Sequence, residues 1–514
     1  MGKINLDAII PREDFEVAEN ENPGKKKETI SIEDIKADSF FFINIRKPDF
    51  QRETNEWDEN KITQFIKSFI EGDLIPAIIL WGSSSGYLFV IDGSHRLSSL
   101  AAWINDDYGD GDISKMFYDG VIPEEQIVLA EKTRRIVNSR IGSYKDFKLA
   151  LTHPEKVRVE IVKNAKNLGA LAIQLQWVEG DATKAENSFF KINQQAAPID
   201  KTELKLLETR RYPNSIAARA IVRSGRGHKY WSKFDVEIQK EIQILAEKVN
   251  HILFNPKLDT PIKTLDIPIG GKLYAASTLP LIFDFVNISN AIDSKSILKD
   301  DEIGEETITV LKRSLKVAQL INSNYPSSLG LHPIIYFYSK DGRHKTAQFY
   351  GIVRFAIELE NKKKINSFIN TRKKLENIIW NYDYLIQQIT RKYRSAINSY
   401  PYISNFLFDC IDQLILGKDE LETIEELTRG KYDYLTIEKI DSNENISLNF
   451  NTNKKSAVYI IDAINSAPKC KICNGLIHRN SISIDHIDRK EDGGKATVDN
   501  GQLTHPYCNT GFKN

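Results

Sequence analysis

Three of the four cysteines fall within the last 45 residues of a 514-residue chain, and with one histidine they form two pairs of equal spacing, Cys470-x2-Cys473 and His505-x2-Cys508. Two intervening residues let both side chains of a pair turn toward one ion. Four such ligands with no open position match a closed, tetrahedral structural zinc site. A segment this short cannot bury a self-sufficient core, so a metal would supply much of its folding energy. Cys410 stands alone, which is no disulfide framework. Clustered cysteines of this kind fit a reducing compartment, and the chain is expected to be cytoplasmic.

At about 150 residues per domain, the length predicts roughly three domains. Hydrophobic residues make up 41% and charged residues 27%, a balance that excludes a disordered or collagen-like chain. Lys plus Arg number 70 and Asp plus Glu number 70, so no global positive field advertises a nucleic-acid partner and local patches must hold one. No apolar run approaches the roughly 18 residues needed to cross a bilayer, and Leu6 stands where a myristoylation signal wants Ser or Thr. No membrane partner is expected, and nothing in the sequence sets an oligomeric state.

The expected fold is α+β and multidomain. Residues 1–30 are polar and charged and are expected to form a flexible arm. A first domain is placed at 31–210, a mainly helical middle domain at 211–440, a linker at 441–468 and a terminal domain at 469–514. Phe40 to Ile45 and Tyr87 to Ile91 are predicted strands. Asp58 is a predicted N-cap for a helix whose apolar stripe is Ile62, Phe65, Ile66, Phe69 and Ile70, ended by Gly72 and Asp73. The run Ile75 to Trp81 and the Gly/Ser turn after it predict a hairpin. Leu375, Ile378, Ile379, Tyr382, Leu385, Ile386 and Ile389 predict one long amphipathic helix. Lys362 to Lys364 and Arg372 to Lys374 are expected on a solvated helix face. His332, Pro333 and Tyr336 to Tyr338 are expected in the core.

Between the two ligand pairs, Ser483-Ile484-Asp485-His486-Ile487 alternates like a strand and sets a carboxylate beside an imidazole. Gly493-Gly494, Asn500, a short strand around Gln502-Leu503, and Asn509 directly after Cys508 follow. With the Cys pair, these residues make the tail resemble an HNH endonuclease, the ββα-metal finger with a zinc knuckle. The resemblance implies cleavage of DNA, with Asp485, His486 and Asn509 at the catalytic centre and Asn500 steadying the hairpin loop. Asn509 stands where the family often has His, an HNN-type variant, and His505 takes a zinc position often held by Cys. The chemistry can be stated on its own terms. Phosphodiester hydrolysis needs a deprotonated water and a cation to offset charge on phosphate and leaving oxygen. Imidazole titrates near pH 6.5, so His486 suits a base, while the hard oxygens of Asp485 and Asn509 suit Mg2+ or Mn2+. Residues 469–514 carry a net charge of +2, weak steering toward phosphate that other basic surface must supplement.

Near the other end, Phe50-Gln51-Arg52 lies ahead of Asp92-Gly93-Ser94-His95-Arg96, and both follow predicted strands. Gly93 permits a tight turn. A helix starting near Ser94 would offer amide N–H groups to an anion, with Arg96 and Arg52 adding charge, so a phosphate site is expected. Together with Phe189-Phe190-Lys191-Ile192-Asn193-Gln194-Gln195, Pro198-Ile199 and Glu203, these motifs make residues 40 to about 210 resemble the ParB/sulfiredoxin-like α/β domain of unknown function found in type IV modification-dependent restriction enzymes. That resemblance implies a nucleotide bound or hydrolysed at Gln51, Arg52, Asp92, Gly93, Ser94, His95 and Arg96, and control of an attached nuclease. Ser94 replaces the usual Gln, which weakens the case for hydrolysis more than for binding.

The combined reading is a metal-dependent endonuclease acting on double-stranded, foreign DNA in restriction or antiphage defence, with structural Zn2+, catalytic Mg2+ or Mn2+, and a nucleotide as regulator. The alternative is a non-catalytic DNA-binding or nucleotide-switched regulator whose zinc knuckle is only structural.

Overall fold

Asp58 accepts hydrogen bonds from the amides of Asn60 and Lys61 at 3.1 and 2.9 Å and so starts helix α1, Glu59–Glu71, which Gly72 ends in the left-handed region at φ 79°. Both helix signals in the sequence are met. The computed structural model describes residues 3–13, 15, 26–49, 51, 54, 56–84, 86–120, 122–196, 205–206, 208–273, 278–437 and 449–512. The chain divides into two units, one comprising Met1–Arg210, Arg226–Tyr230 and Tyr274–Ala276, the other Arg211–Gly225, Trp231–Leu273 and Ser277–Asn514.

The first unit is built on a mixed six-stranded sheet of β1 (Arg12–Glu13), β2 (Thr29–Ser31), β3 (Ile45–Pro48), β4 (Ile78–Gly82), β5 (Leu88–Asp92) and β6 (Ala172–Trp177), in the order β1-β3-β5-β4-β6-β2. The expected hairpin is the antiparallel pair β4 and β5, while β3 runs parallel to β5. Alternation assigns the two faces. Leu80 and Val90 join Ile62, Ile66 and Phe69 of α1 and Leu97, Leu100 and Trp103 of helix α2, Ser94–Asn105, in the main core. Trp81, Phe89 and Ile91 point the other way, onto Phe15 and onto Ala185 and Phe189 of helix α3, Ala182–Ala196.

Two expectations are corrected here. Phe40–Ile43 is one turn of helix, because the Ser39 hydroxyl accepts from the Phe41 amide, and the strand begins only at Ile45. A run of apolar residues without alternation does not choose between the two. The start of the expected arm is core: Ile4, Leu6, Ile9 and Ile10 are buried, and Arg12–Glu13 adds a strand parallel to β3. Most of the charged stretch Glu19 to Glu28 lies outside the described residues. Burial of the segment is made possible by Asp7, itself buried, which pairs with Arg12 at 2.8 Å and Lys47 at 2.7 Å, both with fully buried side chains. Lys47 also donates to the Asp7 carbonyl and to Thr54.

The second unit is mainly helical. It includes α4 (Glu305–Ile321), α5 (Thr346–Asn361), α6 (Ile365–Asn381), α7 (Asp383–Tyr393), α8 (Ala396–Ile415) and α9 (Thr452–Ser466). The predicted long helix is two helices. The backbone turns at Tyr382, Asp383 opens α7, and Lys345 holds the Asp383 carboxylate at 2.7 Å. Both halves still bury the predicted stripe. Helix α9 lies inside the stretch expected to be a linker, its start capped by Asn451. His332, Pro333 and Tyr336 to Tyr338 are buried as expected. Arg372 departs from the solvated face and is fully buried, whereas Lys362, Lys363 and Lys373 are exposed. Among the described residues no helix is long and apolar enough to cross a membrane.

Replacing Asp7 with Ala would take from two buried cations the carboxylate they share, so Asp7→Ala is expected to destabilise the first unit by about 3–5 kcal/mol. Urea unfolding followed by tryptophan fluorescence measures this; a loss below about 1 kcal/mol, the range of an exposed pair, would contradict the assignment.

Candidate active site and metal centre

The four residues of the paired spacing come together. Ligand atoms of Cys470, Cys473, His505 and Cys508 lie within 4.8 Å of one another, and all four residues are buried. A tight turn brings the first pair to bear: Asn474 donates its amide to the Cys470 carbonyl and Cys470 donates to Gly475, both at 2.9 Å. His505 Nε2 lies 2.9 Å from the Leu476 carbonyl, an arrangement in which Nε2 carries the proton and Nδ1 is the ligand. Nδ1 is 3.3 Å from Cys473 Sγ and 3.9 Å from Cys508 Sγ.

Electrostatics makes the same point. Hydrogen bonds from Cys473 and Cys508 pull the Cys470 thiol far below its ordinary value, and those bonds push Cys473 and Cys508 up. Burial lowers His505, keeping its imidazole neutral. A divalent cation would let all three thiols deprotonate, and the donor set fits Zn2+.

Beyond the cluster, β7 (Ser483–His486) pairs antiparallel with β8 (Gly501–Thr504), with Asp485 opposite Gln502 and His486 opposite Gly501. Pairing orients the carboxylate: Gln502 Nε2 donates to Asp485 Oδ2 at 2.8 Å. The loop between the strands is closed by Asn500, which accepts from the Asp488 amide at 2.7 Å and donates to the Lys495 carbonyl at 2.9 Å. Asn509 donates its amide nitrogen to Ser483 Oγ at 2.8 Å and to the Ile484 carbonyl at 3.2 Å. Its carbonyl oxygen is therefore the atom a cation would use. Asp485, His486 and Asn509 line one cleft of about 370 Å³ together with Lys490 and the Arg489–Glu491 pair, whose charges lie 3.0 Å apart. Asn500 is not among its lining residues and acts on the loop instead.

In the first unit, Gly93 stands between β5 and α2 at φ 96°, and a Cβ there would lie 3.0 Å from Ile78 Cγ1. Both facts favour glycine. Because β3 and β5 are parallel, their carboxyl ends share one sheet edge, which places Gln51 on the same side as Asp92, Gly93, Ser94, His95 and Arg96. Arg96 is held by the Asp92 carboxylate at 2.7 Å and by the Ala77 carbonyl at 3.1 Å, so part of its charge is already neutralised. His95 stacks on Trp57 with ring centroids 5.6 Å apart. Arg52 lies outside the described residues, as do Pro198, Ile199 and Glu203.

The sequence reading gives no site role to three residues: Gln502, placed only on a strand, Arg372, expected on a solvated face, and Glu376. Gln502 faces Asp485 only through strand register, which the sequence does not reveal. Arg372 and Glu376 did leave a signal. They are four residues apart on the stripe that also carries Phe368, Leu375 and Ile379, and opposite charges on an apolar stripe mark a buried pair.

Comparison with known families matches residues 32–207 to the GmrSD restriction endonuclease, N-terminal domain, and residues 470–514 to HNH endonuclease. No curated protein and no solved structure matches the chain. HNH nucleases depend on metal ions, and the buried Cys3His cluster could bind zinc.

Burial also holds two imidazoles outside the ligand set, His344 and His478, at about 4. Their unfolded value is about 6.5, so the folded state resists protonation that the unfolded chain accepts. Stability should be full above pH 6.5 and fall as pH drops toward 4, by up to about 3 kcal/mol per imidazole. Thermal unfolding of wild type and of a His344→Gln, His478→Gln double variant across this window checks it. The variant should show a shallower slope, the remainder coming from buried His332 and His505, which burial also lowers, and equal slopes would contradict the assignment.

Proposed function

Since the chain joins a GmrSD restriction endonuclease N-terminal domain to an HNH endonuclease domain and is a DNA endonuclease of restriction and phage defence, we propose that cutting occurs in the cleft of Asp485, His486 and Asn509. His486 takes the proton of the attacking water. Asp485, oriented by Gln502, and the Asn509 carbonyl hold Mg2+ or Mn2+, which when bound supplies positive charge beside the phosphate and the leaving oxygen. Asn500 fixes the hairpin loop and with it the direction of His486. Arg489 and Lys490 on the rim contact backbone phosphates. The Cys470, Cys473, His505 and Cys508 set holds a structural Zn2+, and the substrate is double-stranded, foreign DNA. The observation that carries this reading is the convergence of the two hard-oxygen ligands and the imidazole on one cleft.

In the same reading, residues 31–210 form the ParB/sulfiredoxin-like regulator and 469–514 the nuclease. A nucleotide phosphate would sit at the sheet edge between Gln51 and the α2 amino end. Supporting it, Gln51 is buried with no hydrogen-bond partner for its Oε1 among the described residues, and Arg96 Nε is in the same condition. Buried polar atoms are rarely left this way without a ligand or water.

Plasmid cleavage with Mg2+ or Mn2+, with and without ATP or GTP, tests the proposal on modified and unmodified DNA. His486→Ala is expected to slow cleavage at least about 100-fold, the scale of a general base, with zinc content unchanged. Equal activity in that variant removes the mechanism. Arg96→Ala should abolish nucleotide binding in calorimetry while leaving the cleft's cation binding intact, and unaltered nucleotide affinity would remove the regulatory site.

A further inference from the structure

Helix α6 delivers a fully buried arginine to the Cys/His cluster. Arg372 Nε donates to Glu376 at 2.7 Å, Nη1 to the Leu329 carbonyl at 2.6 Å, and Nη2 to the Gly330 carbonyl at 2.8 Å. Nη1 also lies 3.2 Å from His505 Nδ1. The other oxygen of Glu376 accepts the Leu476 amide at 3.3 Å, reaching the turn that carries Cys470 and Cys473. Glycines clear the way on both sides. A Cβ on Gly475 would stand 2.3 Å from Arg372 Nε, and one on Gly330 would stand 2.4 Å from His505 Cδ2.

A buried ion pair within one helix gives little net stability over an apolar pair of the same size, so its placement calls for another reason. Three thiolates around a divalent cation leave one net negative charge in a buried site. The guanidinium lies where that charge would be, and Glu376 fixes its orientation. Outer partners of metal ligands are known to tune affinity by about 10–100-fold.

We propose that Arg372, oriented by Glu376, is a positioning residue of the zinc site, so that filling the Cys/His cluster and seating the terminal hairpin on the helical unit are one coupled event. The proposal rests on the zinc reading of the cluster and is independent of the catalytic assignments. The Tyr507 amide, which donates to the Ser328 carbonyl at 3.1 Å, and the Leu476 amide report the seating.

The test uses the full-length chain. Zinc content is measured by plasma mass spectrometry, and its release to excess 4-(2-pyridylazo)resorcinol is timed for wild type, Arg372→Gln, Gly475→Ala and Asn480→Ala. The last variant removes a docking hydrogen bond to the Asn255 carbonyl away from the cluster. Release should be at least about tenfold faster in Arg372→Gln and Gly475→Ala and near wild type in Asn480→Ala. Stripping zinc from wild type should speed hydrogen exchange at Leu476 and Tyr507. If circular dichroism finds Arg372→Gln unfolded, Gly475→Ala decides, since it leaves the helices unaltered. Wild-type release in Gly475→Ala, or equal acceleration in Asn480→Ala, would overturn the coupling. A wild type without zinc would instead sink the zinc reading, and the proposal with it.

Discussion

Three buried thiols and an imidazole within 4.8 Å of one another form a donor set that could hold a metal ion. Hydrogen bonds among the thiols lower Cys470 and raise Cys473 and Cys508. With a divalent ion they become a closed tetrahedral site that can order a segment too short to carry a core. The rest of the terminal region hangs from this point. Cys508 directly precedes Asn509, and the β7–β8 pair spans the interval between the two ligand pairs. The frame of the cleft is therefore set by residues that never touch a substrate.

The tail is not an independent bead on a linker. Its polar contacts run to the helical unit: His478 to Asn322, Ser481 to Ser328, Asn480 to the Asn255 carbonyl, and the Leu476 amide to Glu376. Such contacts are directional and costly to leave unmade, which favours one seating over many. In the first unit, the comparable fixed point is Asp7 between Arg12 and Lys47. Arg12 also donates to the Gln51 carbonyl, so residues near the amino end hold the loop that carries Gln51. Both candidate sites are thus supported from behind by a buried ion pair.

Much of the site was legible in the sequence because metal ligation and turn chemistry depend on local spacing. The paired Cys and His positions, Asp485-His486 and Gly93 needed only a few residues of context. The α1 cap at Asp58 and the β4–β5 hairpin were local too. What escaped depended on distance. Gln502 meets Asp485 through register, and Arg372 meets His505 across 133 residues of chain. The opening residues resemble a polar arm because their charges are averaged with a charged stretch, yet four apolar side chains and one paired carboxylate suffice to bury them. The long amphipathic repeat of α6 and α7 kept its stripe through a break, since two helices in line can bury the same face. Periodicity reports which residues are inside, not whether the backbone is continuous.

The central claim is that two chemically distinct metal sites share the terminal region, one made of thiols and imidazole, the other of hard oxygens beside His486. Cleavage by zinc-loaded protein, assayed with and without added Mg2+ or Mn2+ in wild type and Asp485→Asn, tests it most directly. The account predicts cutting only by wild type and only when the second cation is added, with zinc retained throughout. Cutting by zinc-loaded protein alone, or undiminished cutting by Asp485→Asn, would contradict it.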